Sequence, residues 1–261
     1  MPYADVNGQH LYYEDTGGHA PAIIFSHGLL MDHRMFEPQV KVLSGKYRCI
    51  TWDERGHGHT AKDSIAPFTY YDSADDLAAL LEHLDIEKAI LVGMSQGGYL
   101  SLRCALTHPE RVRALVLIDS QALPEAPETL PRHRALVEQW STQGLSEESA
   151  DTIADIIIGR DWPGAETWKA RWKQKAAHDI AACFTTLDER DDIQPRLGEI
   201  HVPALVIHGT ADQAISTPRA QAMADALPQA RLELIDGAPH AANLTHPERV
   251  NTAIQAFLAT L

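Results

Sequence analysis

The sequence predicts an α/β fold, a mostly parallel central sheet flanked by helices with a block of further helices inserted late in the chain. Three observations predict it. Short runs of apolar, often β-branched residues recur, as strands covered on both faces require. Longer amphipathic stretches separate them, so that each strand returns through a crossover helix. One span, 123–196, breaks the alternation and carries no convincing strand.

The elements follow in order. Asn7-Gly8 marks an N-terminal hairpin, with Gln9 to Tyr13 alternating behind it. Strand candidates are Ala22–Ser26, Tyr47–Trp52, Ala89–Val92, Ala114–Ile118, Ala204–Ile207 and Leu232–Ile235. Between them, Ser73 to Leu84 starts with Ser, is acidic in its first turn and places Leu77, Leu80, Leu81 and Leu84 on one face of a helix. Gly98 to Leu106 is a second helix, stopped before His108-Pro109. Thr217 to Leu227 carries Pro218 at its first helical position, and Pro247 to Leu258 closes the chain. The prolines at 124, 127 and 131 mark entry to the helical span and Pro195 its exit. This divides the chain into a core domain, 1–122 and 197–261, and a helical cap insertion, 123–196, folded over one end of the sheet. Ligands bind at such ends.

Composition narrows the function. At 261 residues and 44% hydrophobic content the chain can bury one full core. A formal net charge of -14 repels phosphate backbones and anionic lipid, so nucleic acid and membrane surfaces are not expected partners. No apolar run reaches the roughly 20 residues of a membrane helix. The N-terminus lacks the basic and apolar regions of a signal peptide, so a cytoplasmic protein is expected. Cys49, Cys104 and Cys183 are odd in number and widely spaced, which fits buried reduced thiols rather than disulfides or zinc ligands.

The chemistry starts at Gly93-Met94-Ser95-Gln96-Gly97, a G-x-S-x-G run between an apolar strand and a helix rich in small residues. A sharp strand-to-helix turn would hold the Ser95 hydroxyl out from the sheet edge, and the glycines avoid clashes. A serine needs a base to take its proton. His240 lies in the loop after the last strand candidate and would reach the same edge, and His246, next to Pro247, is the runner-up. Asp212, just beyond the strand at Ala204–Ile207, can orient that imidazole. Asp119, which also ends a strand, is its rival, while Asp236 is too near His240 to reach back. The oxyanion hole needs two backbone donors. Gln96 N–H follows the nucleophile, and Leu29 N–H lies in the loop His27-Gly28-Leu29-Leu30, where His27 reads as a structural hydrogen-bonder. Asp53-Glu54-Arg55-Gly56-His57-Gly58 reads as a tight turn pinned by Asp and Arg rather than a metal or phosphate site.

These markers, with His108-Pro109-Glu110-Arg111-Val112 and the Gly209 to Asp212 segment, run nearly the length of the chain. Together they resemble an α/β-hydrolase of the esterase, enol-lactonase and haloperoxidase-like group, with a 3-oxoadipate enol-lactonase-like set similar in length and cap size. Thr60 stands where that family usually has Ser. The resemblance implies a Ser95–His240–Asp212 triad and a cap between the sixth and seventh strands. Epoxide and haloalkane hydrolases are disfavoured, since they carry Asp where this chain has Ser95.

The expected reaction is hydrolysis of a small-molecule carboxylic ester or lactone through an acyl-enzyme, with no metal or organic cofactor required. Of the cap tryptophans, Trp140, Trp162 and Trp168 are the candidates to line an apolar pocket. Arg132, Arg134, Arg160 and Arg171 could supply a cation for a substrate carboxylate. Carbon–carbon bond hydrolysis of a ring-cleavage product, perhydrolysis on the same triad and a ligand-binding sensor with little turnover are the competing readings. The oligomeric state is not encoded in any feature of the sequence.

Overall fold

The computed structural model describes residues 3–60 and 65–261, with backbone alone at 177 and 178, so Met1 and Pro2 of the N-terminal reading lie outside the described residues. Among the described residues eight strands form one sheet: β1 (Tyr3–Val6), β2 (Gln9–Asp15), β3 (Ala22–Ser26), β4 (Arg48–Trp52), β5 (Ala89–Met94), β6 (Val112–Ile118), β7 (Ala204–Gly209) and β8 (Ala230–Ile235). Their order is β1-β2-β4-β3-β5-β6-β7-β8. The hairpin at Asn7-Gly8 forms as the sequence requires, with both residues at positive φ, 47° and 73°. It pairs antiparallel with β4, and every pairing from β4 to β8 is parallel. β3, β5 and β7 are buried throughout, which explains their unbroken apolar runs, whereas the edge strand β8 alternates.

The described residues also form ten α-helices. They are α1 (Glu37–Leu43), α2 (Tyr70–His83), α3 (Gln96–Thr107), α4 (Leu130–Gln143), α5 (Glu147–Ile157), α6 (Ala165–Lys173), α7 (Ala177–Asp188), α8 (Thr217–Ala226), α9 (Ala242–Thr245) and α10 (Pro247–Leu258). Two start earlier than the sequence pattern indicated. Helix α2 is capped by Thr69, whose side chain and that of Asp72 satisfy each other's backbone N–H, so Ser73 sits inside the helix and is fully buried. Helix α3 starts at Gln96 because Ser95 itself is its N-cap residue.

Helices α4 to α7 all lie between β6 and β7, and no strand interrupts them among the described residues. α4 packs on α7 and α5 on α6. The segment leaves and rejoins the core at one place, where Ile193 N–H donates to Ala122 O (3.2 Å). Arg190 fastens it there, bonding Leu123 O and Glu125 and lying over the Tyr99 ring at 4.6 Å. Among the described residues no helix is long and apolar enough to cross a membrane. The three cysteines are free and buried.

Candidate active site

The C-terminal ends of the parallel strands share one edge of the sheet, and the loops beyond them carry the candidate residues. β5 ends in the turn at Ser95, whose φ of 51° and ψ of -115° are strained for a residue with a side chain. Two close approaches dictate the neighbouring glycines. A Cβ on Gly97 would come within 1.9 Å of Ser26 O, and one on Gly93 within 2.2 Å of Gly97 O. The turn is pinned by Ser95 N–H donating to Ile118 O (2.9 Å) and by the Ser120 hydroxyl donating to Ser95 O (2.9 Å). Leu30 and Asp119, beyond β3 and β6, also hold positive φ, so backbone strain gathers at this edge.

His240 sits between β8 and α9. Its Nδ1 pairs with Asp212 Oδ2 at 2.8 Å, which leaves Nε2 for other work. Asp212 Oδ1 accepts from Ala214 N–H (2.7 Å) and Ile215 N–H (3.0 Å), so the carboxylate is fixed on both oxygens. Asp119 is equally buried but committed elsewhere, to Gly209 N–H (2.7 Å) and Ala242 N–H (3.0 Å). Between the two acids left open by the sequence, the imidazole therefore pairs with Asp212. His246 bonds the Thr245 hydroxyl next to it in the chain. Ser95 and His240 border the same cavity, of about 510 Å³.

The electrostatics follow from burial and pairing. Burial alone would depress His240, but the Asp212 charge and hydrogen bond outweigh it and raise the imidazole above its ordinary value. Burial would raise Asp212, but the His240 charge, its hydrogen bond and the Ile215 amide hold the carboxyl below its usual range. Burial, with the charge of Asp212, pushes Asp119 upward.

Leu29 and Gln96 flank this site from the β3 loop and the start of α3. Neither backbone N–H is taken by an acceptor among the described residues. Gly28 lets the loop approach closely, since a Cβ there would meet Met94 Sδ at 2.5 Å. His27 is structural: it bonds Gly28 O through Nδ1 and accepts Glu54 N–H on Nε2 (3.0 Å). The following turn is pinned as a turn. Asp53 accepts the His33 and His59 amides, Arg55 pairs with Asp76, and Thr60 donates to Asp53 O and accepts Tyr12 N–H.

The tryptophan expectation is corrected by the cavity wall. Trp140, Trp162 and Trp168 do not line it. Trp140 and Trp168 are buried in the hydrophobic core and Trp162 packs against it, folding over Gly164, because indoles this large are stabilised by burial. The wall instead comes from Leu29, Met31, Met94 and Ile215 on the sheet side and from Leu136, Ile153, Ile156 and Phe184 on α4, α5 and α7. Sequence reasoning missed these because an apolar residue at helical spacing reads as core. Of the four cap arginines, Arg132 reaches the wall.

Comparison with known proteins decides the family. A model described as the alpha/beta hydrolase fold matches residues 21–152, half of the chain. The chain belongs to the α/β-hydrolase fold family. Within that family it is 31% identical to a putative non-heme chloroperoxidase of Synechocystis, over 99% of this chain and 100% of the relative. It is 28% identical to 3-oxoadipate enol-lactonase 2 of Acinetobacter baylyi, over 91% of this chain and 88% of the relative. Among solved structures, the enol-lactonase from Burkholderia xenovorans superposes with a TM-score of 0.90 at 28% identity, covering 99% of this chain and 100% of that one.

Proposed function

We propose that this α/β-hydrolase cleaves a small carboxylic ester or lactone with Ser95 as nucleophile, His240 as base and Asp212 as the group that orients the base. The observation that carries the reading is the 2.8 Å contact between His240 Nδ1 and Asp212, made by an imidazole that borders the same cavity as Ser95. With Nδ1–H donated to a carboxylate, Nε2 is the basic nitrogen, the tautomer a serine requires. Ser95 Oγ attacks the carbonyl as Nε2 takes its proton. The oxyanion accepts from the N–H groups of Leu29 and Gln96, near the positive end of α3. The leaving oxygen takes the proton back from His240, and water repeats the cycle on the acyl-enzyme.

The span 123–196 acts as the cap of this site, its helices supplying the outer wall of the cavity. That wall sets apolar residues such as Leu136, Ile153, Ile156 and Phe184 beside polar and charged ones such as Arg132, His133, Gln139 and Glu148, which suits a substrate with both apolar and polar parts. The test is turnover of nitrophenyl esters of graded acyl length and of a lactone panel, with Ser95→Ala beside the wild type. Turnover should fall by ~10³-fold or more in the variant. A variant as active as the wild type, or a wild type inert on every ester and lactone, would end this assignment.

A further inference from the structure

Gln96 has a second feature besides its free backbone N–H. Its side chain, 1% exposed, bridges two elements remote from Ser95. The Nε2 group donates to Glu54 Oε2, in the turn after β4, and Oε1 faces the Tyr70 hydroxyl of α2 at 3.4 Å. Glu54 is itself 2% exposed, and its Oε1 has no hydrogen-bond partner. Burying a carboxylate so incompletely satisfied is costly, and an apolar side chain would avoid the cost.

We propose that the Glu54 carboxylate is a positioning residue for the oxyanion hole, acting through the Gln96 side chain; this rests on the serine-nucleophile reading above. An ionised carboxylate can only accept, so it fixes which end of the Gln96 amide faces it. Its bond to Nε2 is charge-assisted and about twice as strong as a neutral one. The residue so anchored is the first of α3, and its N–H is the donor next to the nucleophile. Glu54 thereby sets the position of that N–H from outside the strand-to-helix turn.

The surroundings make this anchor sensitive to pH. Burial and the charge of Asp76 push the Glu54 carboxyl up to about 7, against Ser73, Arg55 and Gln96, which lower it. The groups facing it are Tyr70, Ser73 and Asp76 on α2, Gln96 on α3, Cys183 on α7, His27 beyond β3, and Arg55 and His57 in its own turn. Arg55 is engaged by Asp76, at 2.9 Å from Nη2 to Oδ1, so it does not pair with Glu54. Burial holds the His27 and His57 imidazoles below their ordinary value, hence neutral, and it raises the Cys183 thiol and the Tyr70 phenol. With its carboxyl at about 7, Glu54 changes charge near neutrality. As pH falls, protonation replaces the charge-assisted bond with a weaker one and loosens the donor.

The test uses Glu54→Leu and Glu54→Gln in the full chain, with Ser95→Ala as control. Thermal unfolding first establishes that each variant is folded. Glu54→Leu should lower kcat by ~10-fold or more with little change in KM, because an oxyanion donor works in the transition state. Its affinity for an alkyl boronic acid, which forms a tetrahedral anion on the serine, should fall by the same factor. Glu54→Gln keeps an acceptor for Gln96 without a charge, as protonated Glu54 does, so its kcat should lie between those of Glu54→Leu and the wild type. It should also change the acid limb of kcat/KM from steeper than one ionisation to the steepness of a single one. Wild-type kcat and boronate affinity in a folded Glu54→Leu, or an acid limb of unchanged steepness in Glu54→Gln, would overturn the inference while Ser95-dependent turnover left the parent reading standing. Turnover unaffected by Ser95→Ala would remove both.

Discussion

The two walls of the cavity are built by different physics. On the sheet side, positions are set by backbone: strained residues at Leu30, Ser95 and Asp119, glycines that meet carbonyl oxygens, and a carboxylate held by two amides. On the helical side they are set chiefly by side chains, through apolar packing and side-chain hydrogen bonds such as that from Ser149 Oγ to Gln139 Oε1 (2.8 Å). Helix α5 turns Thr152, Ile153 and Ile156 to the cavity, and Ala150 and Ala154 lie buried behind them. The segment touches the loop that carries His240 where Ala241 N–H donates to Ile157 O (2.7 Å). A wall of backbone tolerates little change and would suit a chemical step. A wall of side chains can be recut without disturbing such a step, and would suit selection of a substrate.

The largest effect that would break this contrast is at the two buried acids. Asp212→Asn should lower kcat by ~10⁴-fold, since the amide can donate to Nδ1 and stabilise the wrong tautomer. Asp119→Asn keeps an acceptor for its backbone partners and should cost far less. Equal losses measured by steady-state kinetics in the two variants would mean that the acid is not the one in contact with His240.

A smaller effect concerns pH. A histidine base works in its neutral form, and Asp212 raises the pKa of His240 in the folded protein. Activity should therefore be lost as pH falls through a midpoint above 6.5, the ordinary imidazole value, by at least about tenfold for each further unit. A kcat/KM profile flat down to pH 5 would contradict a histidine base.

The smallest effect tests the helical wall. Ile156→Ala, at a half-buried cavity position, should raise KM for long-chain esters by ~10-fold and leave kcat on the shortest ester near its wild-type value. A drop in kcat on every ester alike would mean that this wall too is part of the catalytic geometry.

The same contrast explains what was legible in the sequence. The strands were, because each is covered on both faces and so reads as an apolar run. Ser95, Asp212 and His240 could be singled out because particular residue types stand at particular strand ends beside glycines, and the structure brings His240 into contact with Asp212 and to the same cavity as Ser95. Leu29 and Gln96 were named by the same reasoning. The helical wall was not. Ile153 and Trp168 are both apolar residues at helical spacing, and only the packing directs one to the cavity and the other to the core. The start of α2 was misread for a related reason. Ser73 has the chemistry of a cap, but Thr69 and Asp72 take that role together, and Ser73 is turned inward to Glu54. Glu54 itself was hidden inside a turn whose neighbours explained it without reference to the site.

The most direct measurement of the central claim is covalent labelling. An alkyl fluorophosphonate reacts with a serine that has been activated by a base, and intact-mass and peptide analysis locate the adduct. The account predicts one phosphonyl group per chain on Ser95, with labelling lost in His240→Ala and slowed in Asp212→Asn. No adduct, an adduct on another residue, or undiminished labelling of His240→Ala would contradict it.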